Sequence, residues 1–233
     1  MIEAPALLTI HRNTRRPTAA QIARFKDMPS AFVADAMSGR GCLATPIGPI
    51  GGGRDYPCNV VGPALVAENS AGDLLATGAA LNILQKGDIV VAAVDGYQGS
   101  AAAGDLVMGM MKNAGAAGFV TDGPMRDYEG IVAVGLPAYC TGLNANSPYG
   151  NGPGTVGAGA VVGGVRIETG DLLVCDSNGV VVVPFDKIDA VADAAHAVKN
   201  AEAEFEEQVL SGAQSSFLDL DEMLADGRAV FAD

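Results

Sequence analysis

After Asp88 the chain runs Ile89-Val90-Val91-Ala92-Ala93-Val94 without a polar residue. A strand with one wet face alternates apolar and polar side chains, so an unbroken run rich in Val and Ile demands cover on both faces, the pattern of a parallel sheet between layers. Downstream, Gly104-Asp105-Leu106-Val107 opens a helical stretch in which Leu106, Val107, Met110, Met111 and Ala114 follow the i, i+1, i+4, i+5, i+8 spacing of one buried face. Phe119 to Thr121 reads as the next strand. Strand, helix and strand make a βαβ unit, and open sheets of this kind take their ligands beyond the carboxyl ends of the strands.

The flanking sequence extends the pattern. Thr18 with Gln21 has the form of a capping box ahead of a short helix, and a second helix is expected from Ser30 to Ser38, ended by Gly39. Gly51-Gly52-Gly53 marks a turn, Val60 to Ala67 reads as a strand, and Ser70 with Asp73 precedes a helix expected to close near Lys86-Gly87. Beyond Pro137 the pattern changes to short strands, Ala160 to Ile167, Asp171 to Cys175 and Gly179 to Val183. From Asp186 a long helix follows, with Ile188, Val191, Ala195, Val198, Phe205 and Val209 as its apolar stripe and Glu204 and Glu207 opposite. The organisation is thus one α/β domain over residues 1–185, with an arm at residues 1–17, and a C-terminal helical extension over 186–233 suited to docking on a neighbouring subunit.

Composition narrows the function classes. With 27 acidic against 14 basic residues the net charge is −13, which opposes attraction to a phosphate backbone and makes nucleic acid an unsuitable partner. Cys42, Cys58, Cys140 and Cys175 lack metal-ligand spacing, and His11 and His196 are far apart, so neither a zinc site nor a disulfide framework is expected. No signal-like segment opens the sequence, and no apolar run approaches the roughly 18 residues of a membrane span. The expected compartment is the reducing cytoplasm. The 31 glycines bring no P-loop and no GxGxxG at a strand-to-helix turn, which leaves Gly150 to Gly164 as loop chemistry.

Chemistry concentrates at Arg126-Asp127, which follows the breaker Asp122-Gly123-Pro124. A guanidinium beside a carboxylate can hold an anionic substrate and a hard cation together. The first amides of the helix at Gly104 lack intrahelical acceptors, and the helix dipole favours a carboxylate there. Asp105 reads equally as a first-turn dipole partner or as a site residue. Arg54-Asp55 repeats the dipeptide without that context and reads as a loop, and Met108, Met110 and Met111 read as core filler.

The Gly-Asp-Leu helix start followed by Arg-Asp 22 residues after its glycine resembles the RraA-like family, in its 4-hydroxy-4-methyl-2-oxoglutarate / 4-carboxy-4-hydroxy-2-oxoadipate aldolase branch, once labelled demethylmenaquinone methyltransferases. The likeness extends through Ala31 to Met37, Val61-Gly62-Pro63-Ala64, Lys86 to Val91, Gly170 to Val174 and Asn178 to Pro184. It implies a layered α-β-β-α sandwich of the swivelling ββα type with a long C-terminal helix. It also implies a lyase: a class II pyruvate aldolase cleaving a 4-hydroxy-2-oxo acid to pyruvate and a second oxo compound, with side activity as an oxaloacetate decarboxylase. Carried over by position, Asp127 ligates a divalent metal, magnesium first and manganese second, and Arg126 contacts the pyruvyl oxygens. Amides of Gly104, Asp105, Leu106 and Val107 hold the carboxylate, and Asp105 orients water. Glu202, with Glu204 and Glu206 close by in register, is the acid donated by a neighbouring subunit, in a homotrimer or homohexamer with sites at subunit interfaces. The alternatives are a protein-binding regulator of a ribonuclease, which shorter members of the family are, or a related decarboxylase or lyase with another substrate.

Overall fold

The computed structural model describes residues 6–214 and 218–232; the first five residues of the expected arm lie outside the described residues. In chain order these form β1 (Leu8–Ile10), α1 (Ala19–Ala23), α2 (Ser30–Ala36), β2 (Gly48–Pro49), β3 (Val60–Asn69), α3 (Leu75–Ala80), β4 (Ile89–Ala93), α4 (Asp105–Ala114), β5 (Gly118–Thr121), α5 (Tyr128–Val134), β6 (Ala138–Cys140), β7 (Gly154–Val156), β8 (Gly159–Val162), β9 (Val165–Glu168), β10 (Leu172–Asp176), β11 (Gly179–Val183), α6 (Ile188–Leu210) and α7 (Leu220–Ala225). The chain divides into a unit ending at His196 and a second beginning at Ala197. No helix among the described residues is long and apolar enough to cross a membrane.

Period-two alternation along the strands builds the layers. In the parallel set β3-β4-β5-β6, Leu65, Val90, Ala92, Phe119 and Ala138 face α3, α4 and α5, whose Ala76, Met108, Met111 and Ile131 complete that core. The alternate residues Val66, Ile89, Val91, Val120 and Tyr139 face β8 to β11, meeting Val162, Ile167, Leu173 and Val182. The outer face of β10 and β11, with Leu172, Val174, Val181 and Val183, then packs on Phe25, Val33, Ile188, Val191 and Ala195. Three cores between four layers give the α-β-β-α sandwich with a long C-terminal helix. β4 is buried throughout, as its sequence demands.

β3 joins the two sheets. Its residues Val60 to Pro63 pair antiparallel with β10, and Ala64 to Glu68 pair in parallel with β4. The change of partner falls at Gly62-Pro63, where a Cβ on Gly62 would come within 2.4 Å of the Gly87 carbonyl. The arm is strapped across this body. β1 pairs in parallel with β7, the Arg15 guanidinium reaches buried Asp171 at 3.2 Å, and Arg16 pairs with buried Asp88.

Two expectations are corrected. The helix after Ser70 stops at Ala80, and the chain proceeds to Gly87 through i→i+3 turns, with the Asn82 side chain donating to the Ala79 carbonyl at 3.0 Å. Its N-cap is Leu74; Asp73, one residue earlier, accepts from the Leu75 amide at 2.8 Å, and the Ser70 hydroxyl donates to the Pro153 carbonyl. On α4 the buried stripe is Met108 and Met111 with Val107 partly covered, while Leu106 is 78% and Met110 49% exposed. Apolar residues occupy more of this helix's circumference than the sheet can cover, and the stripe nearest the sheet through Gly104 and Met108 is the one that docks.

Candidate functional site

The site is built where the carboxyl ends of β4 and β5 run into α4 and α5. Gly104 is the extended N-cap of α4 with no side-chain cap, and the Leu106 amide is taken by Asp105 Oδ1 at 2.7 Å. Among the described residues the Asp105 and Val107 amides have no acceptor, which leaves two donors at the positive end of a ten-residue helix. The chain from β5 returns beside this mouth: the Ala102 amide donates to the Pro124 carbonyl at 2.7 Å, and the Arg126 amide to the Ala103 carbonyl at 3.1 Å. The segment's other edge is held by the Met125 amide on the Gly142 carbonyl and the Asn144 amide on the Met125 carbonyl.

These bonds put the Arg126 and Asp127 side chains on the α-carbon of Gly104. A Cβ there would lie 2.4 Å from Asp127 Oδ2, 3.2 Å from Arg126 Cγ and 3.3 Å from Arg126 Nε. Arg126 Nε stands 3.4 Å from Asp127 Oδ2, and its Nη1 donates to the Ser147 hydroxyl. Both side chains stay partly open, at 36% and 44% exposure. The Asp105 carboxylate lies against the first turn of α5, where a Cβ on Gly130 would come within 2.4 Å of Asp105 Oδ2. Gly104 and Gly130 thus let two helix N-termini, two carboxylates and a guanidinium share one small surface. Asp127 caps α5 in the left-handed region, φ 62° and ψ 49°, a conformation costly for a residue with a Cβ.

Asp122 serves as a turn former. It accepts from the Val94 amide at 2.8 Å and the Gly96 amide at 2.9 Å, tying the end of β5 to the end of β4. Burial pushes its carboxyl above the usual range, against the pull of those amides. Arg54-Asp55 does lie in a loop, yet Asp55 accepts a hydrogen bond from the Tyr128 phenol, a link that no motif announces across 73 residues. Met110 is half exposed and does not fill the core as Met108 and Met111 do. Glu202, Glu204 and Glu206 are exposed on α6 in the C-terminal unit.

Among the described residues no three His, Cys, Asp or Glu side chains cluster as metal ligands. That donor set does not suit zinc, which wants four protein ligands or three and a water. It does suit magnesium, which keeps most of its water and takes one or two carboxylates, and the absence of a Cβ on Gly104 leaves room beside Asp127 Oδ2, which Arg126 Nε approaches to 3.4 Å. Three concavities of about 670, 640 and 730 Å³ lie elsewhere and include none of Gly104, Arg126 or Asp127.

The chain is similar to known proteins in sequence and in fold. The family model for RraA-like proteins, described as Aldolase/RraA, matches residues 30–182. A protein of Halalkalibacterium halodurans with the provisional name 4-hydroxy-4-methyl-2-oxoglutarate aldolase is 35% identical over 190 residues, covering 82% of this chain and 88% of its own. The crystal structure of an uncharacterized protein from Pseudomonas syringae superposes with a TM-score of 0.73 at 23% identity, over 85% of this chain and 96% of that one. Streptomyces coelicolor RraAS2, described as an unusual member of the RNase ES inhibitor RraA protein family, superposes with a TM-score of 0.70 at 25% identity, over 83% of this chain and 99% of its own.

Proposed function

The chain belongs to the RraA-like family, and from that premise we propose that it is a divalent-metal-dependent pyruvate aldolase acting on a 4-hydroxy-2-oxo acid. The observation that carries the reading is the seating of Asp127 and Arg126 on the bare α-carbon of Gly104, at a helix mouth with two unpaired amides. Those amides, on Asp105 and Val107, bind the substrate carboxylate, whose charge the helix terminus favours. Arg126 donates charge-assisted hydrogen bonds where negative charge builds on the 2-oxo oxygen during carbon–carbon cleavage. Asp105 holds the water that takes the C4 hydroxyl proton as the bond breaks. Asp127 is the residue that would hold Mg2+ or Mn2+, and a bound cation supplies Lewis-acid polarisation of the 2-oxo group. A proton delivered to C3 of the resulting enolate, from the same water, completes pyruvate beside a second oxo compound.

Loss of CO2 from oxaloacetate generates the same enolate of pyruvate, so the same residues serve oxaloacetate decarboxylation. The proposal includes a homotrimer or homohexamer in which Glu202 of a neighbouring copy approaches this surface. A screen of 4-hydroxy-2-oxo acids and oxaloacetate for Mg2+-dependent pyruvate release tests the reading; full turnover by an Asp127→Ala variant would refute it. The likeness to RraAS2 supports a second reading, a regulator that binds a ribonuclease. Capture of a ribonuclease by a chain that releases no pyruvate from any of these acids is the result that favours it.

A further inference from the structure

Among the described residues Asp127 is one of four non-glycine residues with positive φ, a conformation that Asp tolerates better than most L residues but still at a cost. Its α5 hydrogen bond, Ile131 amide to Asp127 carbonyl at 3.0 Å, is one any N-cap makes and does not by itself select φ 62°. The residues on either side are each tied to a distant loop. Arg126 is bonded to Ser147 through its side chain and to Ala103 through its amide. Tyr128 reaches the opposite way, over the Gly51–Gly53 turn, and donates its phenol to Asp55. That turn is shaped for it. Gly51, Gly52 and Gly53 all have positive φ, between 63° and 71°, and a Cβ on Gly51 would lie 2.1 Å from the Tyr128 hydroxyl oxygen. The turn is itself anchored by buried Tyr56, whose hydroxyl accepts from the Ala138 amide at 3.1 Å on β6.

We infer that Tyr128 and Asp55 are positioning residues for Asp127: their hydrogen bond, seated on Gly51, holds the strained turn that aims the Asp127 carboxylate across Gly104. The inference rests on the proposed function for the identity of Asp127 as the cation's ligand. It gives the Arg54-Asp55 loop a role and accounts for a glycine where the phenol lands. Neither Tyr128 nor Asp55 touches substrate in this scheme. Both act through the backbone of the residue between two anchors.

The test is a set of Mn2+ titrations of the full chain, read by the paramagnetic signal of free Mn2+, with thermal melting of each variant alongside. Tyr128→Phe keeps the ring and removes the donor, Asp55→Ala removes the acceptor, and Asp55→Asn retains a carbonyl that can accept. Loss of one solvent-exposed hydrogen bond predicts Mn2+ affinity weakened by about threefold to tenfold in Tyr128→Phe and in Asp55→Ala. The double variant should be no weaker than either single one, because both break the same link. Asp55→Asn should recover most of the affinity, with melting temperatures little changed. Wild-type affinity in Tyr128→Phe overturns the inference and leaves the aldolase reading standing, as would additive losses in the double variant. A wild-type chain that takes up no Mn2+ overturns the inference together with the metal in the proposed function. A chain that binds Mn2+ through this link yet releases no pyruvate leaves the inference intact and removes the aldolase.

Discussion

Replacing Gly104 by Ala tests the site without disturbing the fold around it. The backbone there is extended, φ −133° and ψ −174°, so alanine fits without strain, and the only obstacle is what the new methyl group meets. It would sit 2.4 Å from Asp127 Oδ2, and the carboxylate must retreat by about 1 Å to regain ordinary van der Waals contact. Arg126, with Cγ at 3.2 Å and Nε at 3.3 Å, must yield a few tenths of an ångström as well. A displacement near 1 Å in a group that positions the reaction costs on the order of 100-fold in rate. Alanine in place of glycine at an N-cap costs about 1 kcal/mol, a fall in melting temperature of about 2–4 °C for a domain of this size. Mg2+-dependent pyruvate release, followed by a coupled lactate dehydrogenase assay, should therefore fall about 100-fold beside a small shift in melting. Retention of activity within about threefold would show that the Asp127 carboxylate is not used where it lies, and the chemistry derived from this surface would be wrong.

Asp127→Gly should abolish Mn2+ uptake and oxaloacetate decarboxylation, yet relief of the left-handed backbone should stabilise the fold by about 1 kcal/mol in chemical denaturation. Arg16→Ala should lower stability by about 1–3 kcal/mol, because Asp88 would keep its buried carboxylate with only the Gln85 amide as partner; a melting temperature equal to wild type would refute this. Burial pushes the Cys140 thiol up to about 11 from 9.0. The folded state holds that proton after the unfolded state has lost it, so its contribution is fully present below pH 9, is lost as pH rises through 11, and amounts to about 3 kcal/mol. Melting temperatures of Cys140→Ser should then decline less steeply than wild type between pH 9 and 11. Of the four cysteines Cys42 alone is exposed, so Ellman's reagent should find one rapid thiol in the native chain and four in denaturant.

What the sequence disclosed depended on how far each interaction reaches along the chain. β4, α4 and β5 were legible because hydrophobic periodicity is local, and the capping box at Thr18 is present because Gln21 lies within one turn. β6 and β7 are three residues each and exist because neighbours already stand beside them, Phe119 and Val120 for one, Ala67 to Asn69 for the other. α5 carries Gly130 in its first turn, a poor helix former, and is held by the packing of Ile131 and the seating of Asp105 on that glycine. The meeting of Gly104 with Arg126 and Asp127 was legible as a fixed spacing across one βαβ unit. The Tyr128–Asp55 contact was not, since it joins the first residue of α5 to a loop 73 residues earlier in the chain. Periodicity on α4 also could not rank Leu106 against Met108, because only the sheet beneath decides which stripe docks.

The strapped arm bears on where this protein can be cut. The family model matches residues 30–182 and would suggest a recombinant fragment beginning near Ser30. Such a fragment would discard β1, which borders β7 in the large sheet, together with Arg15 and Arg16. It would bare the edge of β7 for pairing with other chains and strip two interior carboxylates, Asp88 and Asp171, of their guanidinium counterions. The stretch that the family model matches is smaller than the stretch whose contacts hold the sheet together, and an expression boundary set upstream of Leu8 keeps those contacts.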